Sequence, residues 1–272
     1  MRLGKQFWVN SHQRRQQLDE AVRQRRQANF GFEQVPEAEK VHRVRYHFNS
    51  VAQHYDFMNT LLSFGIHLIW KVMAVKELGL GADQKVLDVC GGTGDLARLA
   101  ARKVGPGGRV TIYDINWEMM AAGRPRIASG REGRQINFVQ GNAESLCFPD
   151  QVFDVAMVGF GIRNVTHMVQ GFQEMYRVLK PGGRFLCLEF SKPRNPVFRA
   201  LYDFYSFAIM PLLGELIAGS RQAYTHLPET IRLFPLPDEL AAILREIGFS
   251  PVGYRSLTNG IAMIHYGRKP NV

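Results

Sequence analysis

The chain of 272 residues is 46% hydrophobic, enough for one full α/β domain with appendages, and its formal charge of +10 favours nucleic acid, anionic lipid or acidic ligands as partners. Its three cysteines, Cys90, Cys147 and Cys187, are odd in number and scattered through apolar segments, which argues against a disulfide framework or a metal site and fits a reducing cytoplasm. Residues 1–5 lack the apolar run of a secretion signal, and no run of about 18 apolar residues is apparent that could span a bilayer.

In chain order, residues 1–35 read first as a basic arm. Arg14, Arg15, Arg23, Arg25 and Arg26 lie in a glutamine-rich context whose apolar Leu18, Ala21 and Val22 make only a thin stripe. A solvated, partly disordered or helical arm is expected, with a lipid-surface anchor or an RNA-binding arm as alternatives; Asp19 and Glu20 speak against a transit peptide. A packed domain is expected over 36–272. Residues 40–79 carry Val41, Val44, Phe48, Val51 and Tyr55 near three-to-four spacing, which predicts a helical lid over 36–80. Strand and helix patterns then alternate: strands at 86–90, 109–114, 136–140, 153–160 and, after the turn Lys180-Pro181-Gly182-Gly183, 184–190; helices at 95–103, 117–127 and 168–179. Such alternation predicts a doubly wound sheet with helices on both faces.

Residues 197–219 are rich in large apolar side chains, among them Phe198, Leu201, Tyr202, Phe204, Tyr205 and Leu212, interrupted by Arg199, Asp203 and Glu215. Those charges argue against a spanning helix. A helical insertion over 197–235, between strands five and six and covering the active site, is predicted; a core helix or a dimer face is the alternative on composition alone. A helix then stops at Gly248, and strands at 251–257 and 262–267 flank the turn Thr258-Asn259-Gly260. So short a connection closes an antiparallel hairpin and cannot make a parallel crossover. The predicted fold is therefore α/β, a doubly wound seven-stranded sheet with one antiparallel strand, the arrangement of class I methyltransferases, whereas a dinucleotide-binding sheet is wholly parallel.

The chemistry is read from the strand ends, where a doubly wound sheet binds its ligand. Residues 85–96 run from a buried-strand pattern into Gly91, Gly92, Thr93 and Gly94 and then a helix. Glycine lets the backbone turn sharply and approach a ligand that a side chain would exclude. Taken with the closing hairpin, the cluster points to S-adenosylmethionine. Asp88 is placed to orient the methionine ammonium, Thr93 offers a hydroxyl, and Asp114, about 20 residues on, a carboxylate for the ribose hydroxyls, a spacing that serves a nicotinamide cofactor equally well. Asn142 and Ala143 after strand three flank the adenine. Asn142 could instead serve turn chemistry, and Asp114 a helix cap.

Two long stretches carry a resemblance. Tyr55-Asp56-Phe57-Met58-Asn59-Thr60-Leu61-Leu62-Ser63-Phe64-Gly65-Ile66-His67-Leu68-Ile69-Trp70, and Arg177-Val178-Leu179-Lys180-Pro181-Gly182-Gly183-Arg184-Phe185-Leu186-Cys187-Leu188-Glu189-Phe190-Ser191, resemble signatures of the ubiquinone/menaquinone biosynthesis C-methyltransferases. The resemblance runs from about Phe30 through Lys269. It implies methyl transfer from S-adenosylmethionine to a ring carbon of a polyprenylated quinol, demethylmenaquinol or the corresponding benzoquinol, with no metal. Family cofactor positions carry over to Thr93, Asp114, Asn142 and Ala143, and a further one, often serine, is Gly159 here, which removes a hydroxyl. The resemblance also directs attention to Arg163 and Asn164. Arginine stays protonated and is a poor base, so Arg163 is expected to stabilise developing phenolate charge and position a water that takes the proton; a structural salt bridge is its alternative. His67 is either a second candidate base or a hydrogen-bonded structural histidine. Tyr55, Asp56 and Asn59 line the lid or cap helices. Tyr224 lies in a matching segment, but His226 stands where an aromatic is common. The expected partners are the quinol and an anionic membrane surface, with a homodimer possible; no nucleic acid is expected, for want of aromatic-basic interleaving. The expected location is cytoplasmic, peripheral to the inner face of the membrane. An RNA or small-molecule methyltransferase, or a non-catalytic cofactor-binding scaffold of a quinone-synthesis complex, are the competing readings.

Overall fold

The computed structural model describes residues 8–16 and 18–271; the expectation about a secretion signal, and part of the arm, lie outside them. The sheet is built from strands numbered here within it: β1 (Lys85–Val89), β2 (Arg109–Asp114), β3 (Ile136–Gln140), β4 (Phe153–Gly159), β5 (Leu179–Phe190), β6 (Val252–Leu257) and β7 (Ala262–Arg268). Their order is β3-β2-β1-β4-β5-β7-β6, and β7 runs antiparallel to both its neighbours. Period-two alternation sends successive side chains to opposite faces. Val86, Val110, Ile112, Met157 and Leu188 pack with helices Ile66–Glu77, Asp95–Val104 and Trp117–Ala128 on one face. Leu87, Val89, Val158 and Phe185 pack with helices Met168–Val178 and Pro237–Ile247 on the other.

The strand order reverses between β1 and β4, which opens a crevice beyond their carboxyl ends. Gly94 takes φ +80°, and a Cβ there would lie 2.7 Å from Ile112 and Ile127, so only glycine lets the loop turn into the helix. Helices Glu37–Val51, Tyr55–Leu62 and Ile66–Glu77 cover one side, the last two bent by 99° where Phe64 and Gly65 have positive φ. The other side is covered by Pro196–Ala218 and Arg221–Leu233. Val51, Met58 and Leu62 of the first group share an apolar cluster with Met210 and Tyr224 of the second, and the Tyr205 hydroxyl donates to the Leu62 carbonyl at 2.8 Å.

One expectation needs correction: by length and composition the 23-residue helix Pro196–Ala218 is apolar enough to cross a membrane, where no such run was expected; it lies along the domain, with Asp203 ion-paired to the buried Arg232. The arm takes the helical form among those expected, and over its described residues part of it docks on the domain while Arg15, Arg23, Arg25 and Arg26 stay exposed. It forms helices Ser11–Arg15 and Asp19–Arg25 and a hairpin of Gln27–Phe30 with Glu33–Pro36. Trp8, Arg14, Asp19 and Val22 are buried, because the domain supplies partners: Glu239 for Arg14 at 2.7 and 2.8 Å, and Asp203 for the Trp8 indole N–H at 3.1 Å.

Candidate active site

A cavity of about 520 Å³ lies in the crevice, walled by the strand ends, both helical covers and the glycine loop. It brings together Asp88, Gly91, Gly92, Thr93, Asp114, Asn142, Ala143, Gly159, Arg163 and Asn164, ten of the sequence-predicted positions; Gly94 shapes the loop from behind. Asp88 is 1% exposed. Its Oδ2 accepts the Ala97 N–H at 3.1 Å, while Oδ1 is buried with no partner among the described residues. Burial lifts its pKa to about 8. A Cβ at Gly91 would come within 3.0 Å of this carboxylate, so glycine keeps it approachable. Asp114 accepts the Gly92 N–H at 2.9 Å and the Asn116 N–H at 2.8 Å; burial raises it to about 6. Each carboxylate oxygen has a second lone pair to offer.

Thr93 spends its hydroxyl on Asp56, at 2.7 Å. Asp56 pairs with Arg126 at 2.8 Å, Arg126 with Asp95 at 2.7 Å, and Asp95 with Lys71 at 2.6 Å. This chain of charges ties the glycine loop to the helices that cover it. Asn142 does serve a turn, its Oδ1 accepting the Glu144 N–H at 3.1 Å, and it lines the cavity as well. Gly159 is explained by packing: a Cβ there would sit 2.4 Å from Leu96, so this chain has no room for a serine hydroxyl without moving Leu96.

Arg163 is 5% exposed in its side chain and paired with Glu189, itself 1% exposed. Its Nη1 donates to Glu189 Oε2 at 2.9 Å, Oε1 at 3.1 Å and the Phe160 carbonyl, and the guanidinium lies 5.4 Å from the Phe190 ring centroid. Burial pushes the Glu189 carboxyl up and Arg163 opposes it. The salt bridge therefore exists, yet Arg163 Nε is buried and unpartnered among the described residues, as is Asn164 Nδ2. Sequence reasoning quoted Glu189 without giving it a role; the available signal was a lone acid ending a buried strand, which demands a cation. It likewise quoted Trp70 without a role, although its indole N–H donates to Thr258 at 2.9 Å, and it passed over His47, which lines the cavity. His67 is tied to Thr60 at 3.2 Å and held neutral by burial and then Lys71, with its pKa lowered to about 4. Tyr55 and Asn59 line the cavity.

An orphaned buried carboxylate oxygen for an ammonium, a second carboxylate at the end of the neighbouring strand and a side-chain-free loop between them fit S-adenosylmethionine. Fold and site together are those of a class I S-adenosylmethionine-dependent methyltransferase. Among solved structures the chain resembles a possible histamine N-methyltransferase from Thermotoga maritima (TM-score 0.57, 18% identity, 83% of this chain and 99% of that one) and the [4+2]-cyclase SpnF (TM-score 0.61, 16% identity, 84% and 95%); at such identities the likeness is of fold. Residues 34–269 match the ubiE/COQ5 methyltransferase family, and the chain belongs to that family. It is 47% identical over 242 residues to the ubiquinone/menaquinone biosynthesis C-methyltransferase UbiE of Pseudomonas putida, covering 89% of this chain and 94% of that protein.

Proposed function

We propose that Arg163, clamped by Glu189, holds the oxygen of a polyprenylated quinol beside the ring carbon that is methylated. The activity itself, S-adenosylmethionine-dependent C-methylation in ubiquinone/menaquinone biosynthesis, is that of the family and of this chain. The cofactor supplies an electrophilic sulfonium methyl when bound. Asp88, Asp114, Asn142 and Ala143 are the residues that would hold it, with Thr93, its hydroxyl donated to Asp56, contributing through its backbone, and the backbone at Gly91, Gly92 and Gly159 lets it approach.

What remains for the protein is alignment, exclusion of water and charge stabilisation. Because Nη1 is occupied by Glu189 and Phe160, the rest of the fixed guanidinium fork is left for the quinol oxygen. It stays cationic, so it stabilises the phenolate that makes the ring carbon nucleophilic; the hydroxyl proton passes to solvent and is regained once loss of the ring proton has restored the phenolate, so that one proton is released per methyl transferred. As the carbon–carbon bond forms, the ring hydrogen leaves as a proton to a water, for which the buried Asn164 Nδ2 is a ready partner. The observation that carries this reading is the buried, half-satisfied Arg163 in the wall of a cavity shared with the glycine loop. Arg163→Ala should lower kcat by about 10²–10³-fold, with S-adenosylmethionine Kd within about twofold of wild type; retention of turnover by this variant would sink the role. A scaffold would keep its function in Arg163→Ala.

A polyprenylated acceptor resides in a bilayer, so an anionic membrane surface is the proposed partner and the cytoplasmic face of the membrane the proposed location. The net charge of +10 and the exposed Phe64, Phe198 and Leu201 at the rim of the cavity support this.

A further inference from the structure

Two imidazoles in the cavity wall have no part in the chemistry above. His47, on helix Glu37–Val51, and His226, on helix Arg221–Leu233, come from the two separate covers and meet with ring centroids 4.7 Å apart. Phe30 of the amino-terminal hairpin stacks on His226 at 4.1 Å and 29° and meets His47 edge-on at 6.0 Å. Both histidines line the cavity that also holds Arg163 and Asn164.

Neither ring takes a hydrogen bond from the protein among the described residues, and His226 Nε2 is buried without a partner. A phenyl ring would stack on Phe30 as well without stranding a polar nitrogen, and such a nitrogen is costly to leave unpaired. Besides each other, the groups that act on the pair are cationic, Arg163 on both and Lys40 on His226. Burial, then Arg163, holds His47 to about 4, and burial, then His47, Arg163 and Lys40, holds His226 to about 2, so both are neutral at physiological pH. A neutral imidazole has one N–H donor and one acceptor nitrogen, the complement of a phenolic hydroxyl. Helical geometry fixes how near this pair stands to the reacting end: His226 shares a helix face with Thr230, four residues or about 6 Å further on, and Thr230 lines both the main cavity and a small one against Arg163.

We propose that His47 and His226 together hold the second ring oxygen of the quinol, the one not held by Arg163, and so select acceptors that carry a free hydroxyl there. This rests on the quinol C-methylation reading. A quinol bears oxygens at opposite ends of its ring, and one cation cannot fix the ring's rotation alone. Two points of attachment, cationic at one oxygen and neutral at the other, define which carbon faces the methyl donor. They also divide the labour, since the neutral pair does not lower the pKa of its hydroxyl and Arg163 does.

The test uses the full-length enzyme with a short-tailed, water-soluble quinol and its two mono-methyl ethers, each capped at one ring oxygen. Wild type should turn over the quinol and discriminate against the ether capped at the histidine end. His226→Phe and His47→Phe keep the ring stack; each should raise KM for the quinol roughly 3–10-fold and lose that discrimination, while the Kd for S-adenosylmethionine stays unchanged. His226→Gln, which restores a donor and an acceptor, should recover part of both and supplies the reading if a phenylalanine variant fails to fold. Variants with wild-type KM and intact discrimination overturn the proposal, as do equal losses for quinol and ether, which mark a packing role. If wild type methylates no quinol, the underlying reading has failed, and that result is distinct from both.

Discussion

Asp88 sits 1% exposed at the end of a buried strand, and burial chiefly, with Asp114 adding, lifts its pKa from an ordinary 3.8 to about 8 against the Ala97 N–H. The folded state therefore holds a proton that the unfolded state releases above about pH 4, so this group's contribution to stability is greatest in acid and is lost as pH rises through about 8. An ammonium brought to the unpartnered Oδ1 favours the carboxylate and reverses that shift. Binding of S-adenosylmethionine at pH 7 is therefore expected to expel close to one proton, since Asp114, at about 6, is already mostly ionised. Calorimetric titration in buffers of differing ionisation enthalpy should give an observed heat that varies with the buffer, and Asp88→Asn should abolish the variation. A heat independent of buffer in wild type would remove Asp88 from the ammonium site.

At the scale of elements, the helix Met168–Val178 has no side-chain cap of its own; its first turn is capped from the arm. The Asp19 carboxylate accepts the Val169 N–H at 3.0 Å and the Gln170 N–H at 2.7 Å, pairing an anion with the positive end of the helix dipole. Asp19→Ala should cost about 1–2 kcal/mol, read as a lower denaturation midpoint in urea at unchanged slope; an unchanged midpoint would mean that the docked arm adds nothing to the stability of the domain. The arm also shows where sequence reading stops. Strands β1, β2, β4 and β5 were legible because burial on both faces imposes an apolar run that local pattern reveals, the edge strand β3 by its place in the alternation, and β6 with β7 because their connection is too short for a crossover. Burial of Arg14 and Asp19 depends on Glu239 and Gln170, 225 and 151 positions away, and no local pattern encodes that. The same holds within the site. The glycine loop, Asp88 and Asp114 are local to single strand ends and could be read, whereas Glu189 beneath Arg163, or His47 against His226, exists only once strand ends and covers are assembled.

For the whole molecule, the feature left without a partner is the outer side of Pro196–Ala218. Val197, Leu201, Phe204, Leu212 and Leu216 are exposed at intervals of three, four or eight residues, one stripe of a helix, while the inner side spends Tyr205 on Leu62 and Asp203 on Arg232. Only 22% of the most apolar window of this helix is buried. Phe64, 80% exposed, extends the stripe across the gap to the other cover, 6.2 Å from Tyr205. A stripe this long would be a liability facing water, and its continuity with the cavity rim at Phe198 and Leu201 makes it the face to test for the proposed docking on a bilayer. Inserting such side chains yields about 1.5–3 kcal/mol each, and the positive net charge adds attraction that salt should weaken. Phe204 and Leu216 lie on the stripe but not on the cavity wall, so Phe204→Glu and Leu216→Glu separate docking from chemistry. Each should weaken co-sedimentation with phosphatidylglycerol vesicles about tenfold or more and slow methylation of a long-tailed quinol embedded in them, while turnover of a short-tailed soluble quinol stays at the wild-type rate. Unchanged vesicle affinity, together with conversion of a dimer to monomers in light scattering, would assign the stripe to a second copy of the chain instead. The two outcomes exclude each other because a face buried against protein has none left to insert.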